Sequence, residues 1–371
     1  MKEFFISNKK YILYFLIFIS SISFINTLRK SFLNGCDFQW QPSVLFWQGI
    51  NHYEKFISNG NWDFMCQGGQ YSQLLHIILY PFTLVEWEIA RILWVITNSI
   101  FVFLIGLIIC KKFNISRYKT IILILIFLTC YPTRMSITYG QQSLFVLFFL
   151  ILPFVYKSNL SVFFSGLSSI KYSTGYILFL DFIVKKQYKN FLLASILYIF
   201  GWVVYFSYTN SNPITNFFEP IKWSLQMGYR RDTDVYSLLQ IYFNNNESTI
   251  FGYSSIILVF ILNFLILIKI NKIKDDFLKM SLILLCPLIF FPHSNYDYVL
   301  LFPLACYSLL NFDHFLNKIN FYFIIYFFYF SRIVKHLIDI DWLYQPSILL
   351  SIIVLLFMNI KNNTIHIIKT N

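Results

Sequence analysis

The chain has 371 residues, 57% of them hydrophobic and only 12% charged, with a formal charge of +12. A soluble domain carries roughly 25% charged residues and could not hide this much apolar surface, and the alternating segments of about ten residues that mark a transmembrane barrel do not occur. The apolar residues come instead in blocks of about 15 to 23, the length a helix needs to cross a core about 30 Å thick. The expected fold is therefore all-α: a polytopic membrane protein of about ten to twelve transmembrane helices, with external re-entrant or interfacial helices. The lysines fall in short clusters between spans, the positive-inside pattern, and give no reason to expect a nucleic-acid partner. No Cys/His grouping has zinc-like spacing and no glycine-rich phosphate loop occurs, which argues against a nucleotide site.

In chain order, the basic "MKEFFISNKK" precedes an apolar run at 11–27 that lacks a small-residue cleavage site. It reads as a retained anchor with its N-terminus in the cytoplasm. Residues 28–87 then form a first external loop. This loop carries Asp37, an aromatic stretch "DFQWQPSVLFWQGINHY", and a short apolar segment at 71–85 that contains His76 and Pro81. If 71–85 spanned, the next basic loop would end up outside, so it is expected to lie on the external face or re-enter it. Cys36 and Cys66 share the loop, where a disulfide and two free thiols are both open. Cys110, Cys130, Cys286 and Cys306 lie in or beside spans as apolar filler.

Residues 89–110 return to "KKFNISRYK", whose four positive charges set it inside. Residues 120–132 lead out to "TRMSITYGQQ", and 143–156 return to "YKSN". The segment 160–184 cannot be one straight span, because "KKQYK" after it would then lie outside. Two half-helices meeting at an external Lys171 satisfy the charges. Residues 191–208 go out, 209–247 form a second external loop, and 249–270 return to "NKIKDDFLK". Residues 280–291 lead out to "FPHSNYD", 298–311 return, 320–334 go out and 345–360 come back. The whole chain, 1–371, reads as a single membrane-embedded domain.

This threading gathers Asp37, His76, Arg134, Gln141, Lys171, Arg230, Arg231, Asp232, Asp234, His293 and Asp297 on the external side. Ionisable groups near the membrane core are costly and usually face a cavity. One acid, one or two histidines and several cations suit a phosphate-bearing lipid, the cations holding phosphate and the carboxylate deprotonating a hydroxyl. Asp37 competes between that role and capping the helix that follows it. Lys171, in the middle of an apolar segment, is better explained by function than by snorkelling. His293 after Pro292 fits a helix end as well as a site. Arg230 and Arg231 stand beside Asp232 and Asp234, which also fits a self-neutralising loop.

The order of "CDFQWQPSVLFWQGINHYEKF", "LYPFTLVEWEIARILWVITN", "TYGQQSLFVLFFLILP", "FSGLSSIKYSTGYILFLDFIVKKQYKN" and "FPHSNYDYVLLFPL" resembles the membrane glycosyltransferases of family 87, in the C-type superfamily. The resemblance runs from residue 11 to about 305. It implies transfer of a hexose, often mannose, from a polyprenyl-phosphate donor to a lipid or glycan acceptor, at the external face of the plasma membrane. It also implies Asp37 as general base, His293 at the same site, Gln141 in the family's external "GQ" stretch, and Lys171 as a phosphate contact at the helix break. His76, Arg230 and Arg231 join the candidates for substrate binding. The sequence departs from the family pattern at His52, at Gln142–Ser143 and at the residue after Lys171. The donor carries its own leaving group, so direct displacement would invert the anomeric centre, and with one strong acid near the first span a metal-free reaction is expected. The competing readings are a transporter or flippase, which would set charges within spans and show two related halves, and a surface polysaccharide polymerase.

Overall fold

The computed structural model describes residues 9–34, 38–54, 71–228, 234–242, 249–330 and 349–361. No strand occurs among them. The principal helices are α1 Lys9–Asn34, α2 Trp40–Trp47, α3 Gln73–Ile78, α4 Tyr80–Thr83, α5 Trp87–Lys112, α6 Arg117–Thr129, α7 Tyr131–Thr138, α8 Ser143–Val155 and α9 Asn159–Ser165. They continue as α10 Tyr172–Val184, α11 Tyr188–Thr209, α12 Pro213–Gly228, α13 Val235–Tyr242, α14 Thr249–Ile270, α15 Asp276–Phe290, α16 Phe302–Leu310 and α17 Phe315–Ile325, with α18 at 349–361. Short 3₁₀ turns at Gly166–Ile170 and Asn295–Leu301 lead towards α10 and into α16.

Among the described residues, Leu13–Leu33 of α1, α5 and α11 are long and apolar enough to cross a membrane. The pair α6 and α7 makes a further span bent by 55°. The bend follows from Pro132 in the first turn of α7, which lacks the N–H needed to continue the α6 ladder. Helices α1 and α11 expose Phe15, Phe18, Ile25, Ile196, Ile199 and Phe200, the faces a lipid phase would cover. Helix α15 is the opposite case, apolar all round and buried along nearly its whole length, as the centre of a bundle must be.

The turns sort into two ends. At one, Phe113 stacks on Phe277 at 3.7 Å, Lys157 pairs with Asp276 at 3.7 Å, and Asn271 donates to Asp181 at 2.9 Å. This end collects the basic loops. At the other, Ser31 donates to the Ile137 carbonyl at 3.2 Å, Trp94 to that of Gly140 at 2.8 Å, and the Ser72 N–H to that of Ile170 at 2.8 Å. The charge pattern therefore grouped the turns correctly. A test of sidedness follows for a cysteine-free background. Cysteine at exposed Thr215 should react with an impermeant maleimide on intact cells, and cysteine at exposed Ser116 only after permeabilisation; labelling of both from outside would overturn the threading.

The segment expected as two half-helices is a re-entrant hairpin. Ser158 and Ser161 form a capping box that starts α9, the chain tightens to 3₁₀ over "GLSSI", turns extended at Lys171, and returns as α10. Each arm rises about 20 Å, short of a full crossing. The arms pack closely because the sequence is small there: a Cβ on Gly166 would strike the Ala194 carbonyl of α11, and one on Gly175 the Ser168 carbonyl. Lys171 is thus carried on a tip braced from three sides.

Candidate functional site

The site end is built from four pieces of chain: the residues after α1, the 139–143 turn, the hairpin tip and the 291–297 loop. Phe38 is buried and stacked on Trp94 at 5.0 Å and Trp87 at 5.8 Å. Its carbonyl accepts from Gln142 Nε2 at 2.8 Å. Gln39 follows in a left-handed conformation, φ 72°, as the N-cap of α2, with its carbonyl taking the Ser43 hydroxyl at 2.7 Å. Asp37 and Cys36 lie outside the described residues, but the chain immediately beyond Asp37 is held on both sides.

The 139–143 turn needs Gly140, at φ 62°, where L side chains are strained. Gln141 is spent inside the protein: its Oε1 accepts from Tyr71 at 3.1 Å and its Nε2 donates to the Tyr139 carbonyl at 3.3 Å. Tyr53 in turn donates to the Tyr71 carbonyl at 2.7 Å. Gln141 therefore ties the turn to the first loop.

At the hairpin tip, Lys171 pairs with Asp297, 126 residues along the chain. Ser143 donates to the same carboxylate oxygen at 2.5 Å and stands 3.4 Å from the ammonium. The Ser294 N–H takes the other oxygen at 2.9 Å, and the Tyr296 ring lies 4.8 Å from the ammonium. Both charged groups are buried. Burial alone would raise the Asp297 carboxyl, but Lys171, with Ser143 and the Ser294 N–H, outweighs it and holds the group below the usual carboxylate range. Lys171 is accordingly one half of an ion pair rather than a lone phosphate hook. His293 sits in the same loop, buried, its Nδ1 3.2 Å from the Phe291 carbonyl and its ring 5.3 Å from Tyr298. The hairpin tip, Ser143 at the start of α8, and the loop of His293 are thus joined through one carboxylate.

His76 belongs elsewhere. It lies buried beside a small aromatic cluster of Phe46, Tyr53 and Tyr205. Its ring faces that of His52 at 4.4 Å; Ser43 holds its Nδ1 at 3.0 Å, and Tyr205 holds the Nδ1 of His52 at 2.6 Å. These contacts pack His76 and the first loop onto α11. Burial pushes the His76 imidazole down to about 3, and burial followed by the neighbouring His76 pushes His52 well below its ordinary value. Native histidines that stay neutral bind fewer protons than unfolded ones between about 3 and about 6.5, so stability is complete above that window and falls as pH drops through it. The slope reaches about 1.4 kcal/mol per pH unit for each histidine. Thermal unfolding of the detergent-solubilised protein should show a steeper loss from about pH 7 to 5 than in His76→Asn; equal slopes would refute the buried-neutral assignment.

Arg134, half-buried, donates from Nε to Thr27 at 3.2 Å. Asp234 caps α13, accepting from the Ser237 N–H at 2.8 Å. Arg230, Arg231, Asp232 and Cys66 lie outside the described residues. Among the described residues no group of three His, Cys, Asp or Glu side chains is arranged to hold a metal ion. Asp297 and Ser143 were not singled out from sequence as functional. The signal was indirect: a lysine buried in a membrane segment requires an acid, but seven aspartates fall on the external side of the threading.

Beside the tip, an apolar groove of about 440 Å³ runs between α10, α11 and α14, lined by Tyr172, Tyr176, Phe179, Ile183, Tyr198 and Phe260 among others. From Tyr172 to Ile183 it follows α10 for about 16 Å. The Tyr172 and Tyr198 hydroxyls meet at 3.1 Å at its tip end.

Comparison with known proteins matches residues 71–292 to the model of glycosyltransferase family 87. The matched segment includes the groove, the hairpin and Ser143, and ends just before His293; Asp37 and Asp297 lie on either side of it. No curated protein and no solved structure matches the chain.

Proposed function

The chain belongs to glycosyltransferase family 87, and from that premise we propose that this membrane glycosyltransferase moves a hexose, mannose being the first candidate, from a polyprenyl-phosphate donor to a lipid or glycan acceptor. The reaction takes place at the external face of the plasma membrane, with the N-terminus in the cytoplasm. The observation that carries the choice of donor is the groove. Its apolar lining starts beside Lys171 and descends along the hairpin, which suits a prenyl chain with its phosphate at the tip and does not suit a nucleotide.

The chemistry asks little of the protein. Asp37 takes the proton of an acceptor hydroxyl, the hydroxyl oxygen bonds to the anomeric carbon from the face opposite the phosphate, and the C–O electron pair leaves with the phosphate. The anomeric centre inverts. An ammonium has three protons; in Lys171 one goes to Asp297 and one points towards Ser143, which leaves the third for a donor oxygen. His293, in the same loop as Asp297, and Arg230 and Arg231, by their charge, are the further candidates for binding the donor phosphate. Because the sugar already carries a phosphate leaving group, the reading calls for no cofactor.

The test is transfer by the purified protein in lipid vesicles, with radiolabelled polyprenyl-phosphate hexoses and nucleotide hexoses supplied separately alongside lipid extract as acceptor. Label should reach a new lipid or glycan product from the polyprenyl donor alone. Transfer from a nucleotide sugar without polyprenyl phosphate would overturn the donor assignment.

A further inference from the structure

At the end opposite the site, a cavity of about 410 Å³ opens under the mouth of the hairpin, where α9 begins and α10 ends. Its floor is apolar, with Val162, Leu178 and Phe182. Its rim carries Lys157, Lys185 and Lys279 against Asp181 and Asp276. The two carboxylates are not equivalent. Asp181 is buried and saturated, with Lys185 at 2.6 Å on one oxygen and Asn271 at 2.9 Å on the other. Asp276 is shared by two lysines, Lys157 at 3.7 Å and Lys279 at 3.4 Å. One carboxylate between two ammoniums leaves a net positive charge on the open side of the cavity. Around it, Leu160, Phe164, Ile183 and Leu192 are exposed apolar side chains of α9, α10 and α11.

We propose that this cavity is a binding site for a phosphate group, held by Lys157 and Lys279, and that its source is the headgroup of an anionic phospholipid whose chains lie along the exposed faces of α9 and α11. Three features converge on this class. The excess charge is cationic, the floor is apolar, and the rim adjoins helix faces that lipid must cover. A basic pocket between membrane helices, on the side where the basic loops gather, is where an acidic headgroup is attracted. A phosphate there would relieve the repulsion of two lysines sharing one acid. It would also brace the two arms of the hairpin at their mouth, some 20 Å from Lys171 at the tip.

The experiment is native mass spectrometry of the full chain in neutral detergent, titrated with short-chain phosphatidylglycerol, short-chain phosphatidylcholine or inorganic phosphate. Phosphatidylglycerol should be retained and phosphatidylcholine should not. The variant Lys157→Gln/Lys279→Gln should weaken that retention about tenfold, whereas Arg29→Gln/Lys30→Gln at the other end should leave it unchanged. Lys157 is exposed, so the single variant Lys157→Glu, which folds without repacking, gives a second reading and should also lose retention. Competition by inorganic phosphate at equal concentration would assign the site to free phosphate instead of lipid. Equal retention of phosphatidylcholine, or wild-type retention by both lysine variants, would overturn the site. None of these readouts uses glycosyl transfer, so they stand apart from the proposed activity.

Discussion

Asp37→Asn should lower turnover by roughly 10²- to 10⁴-fold while leaving the melting temperature and donor binding close to wild type. Asp37 is the only carboxylate between Leu28 and Glu54, and it precedes by one residue the point where the chain is clamped. Phe38 is fixed by Gln142 and by stacking on two tryptophans, and Gln39 holds a left-handed turn into α2. A base that must meet one hydroxyl benefits from such a mount, because misplacement of a reacting group by about 1 Å can cost about 10²-fold. The substitution separates catalysis from capping, since Asn and Asp cap helices about equally well but only the carboxylate takes a proton. The measurement is single-turnover transfer in vesicles at matched protein, together with retention of the polyprenyl-phosphate sugar. Near-normal transfer by Asp37→Asn would remove Asp37 as the base and move the search to His293, Asp232 or Asp234.

How far the sequence reached depends on the kind of physics involved. Charge placement is a one-dimensional property, and it correctly grouped the turns at two ends and demanded a break at Lys171, because "KKQYK" had to return to the same end as "YKSN". The small residues of "SGLSSIKYSTG" let the arms pack and are visible in the sequence too. Partners across the fold are not. Nothing near Lys171 in the chain points to Asp297, and Asp37, Asp232 and Asp234 were equal rivals until the 291–297 loop was seen against the hairpin tip. His76 and His293 are both lone histidines on the external side of the threading. They differ because Tyr205 and His52 close over one, while the other lies in the loop that carries Asp297. Gln141 stands in the "GQ" stretch on the external side, but its two amide partners, Tyr71 and the Tyr139 carbonyl, lie far from it or unmarked in the sequence and become visible only in the fold. The left-handed Gln39 had no sequence signature, since glutamine is not among the residues that favour that conformation.

Breaking the Lys171–Asp297 pair from one side should be more damaging than deleting it. Lys171→Ala leaves a buried carboxylate with two neutral donors, and Asp297→Ala leaves a buried ammonium with a hydroxyl and a ring; each should cost about 3–5 kcal/mol. Both groups are buried, so solvent screening does not soften the loss as it does at a surface. Removing both charges together, in Lys171→Met/Asp297→Leu, should recover most of that stability, because apolar replacement of a buried pair is often neutral or better. Activity should then part company with stability. If the pair only pins the hairpin to the 291–297 loop, the double variant should transfer sugar nearly as well as wild type. If the third proton of Lys171 meets the donor phosphate, the folded double variant should retain the donor poorly and show a raised KM, with Lys171→Arg/Asp297 intact recovering part of the affinity. Thermal melts and donor titrations on these five proteins decide between them. Equal stability of wild type and both single variants would mean the charges are solvated, and the pair could not be what joins the tip to the loop.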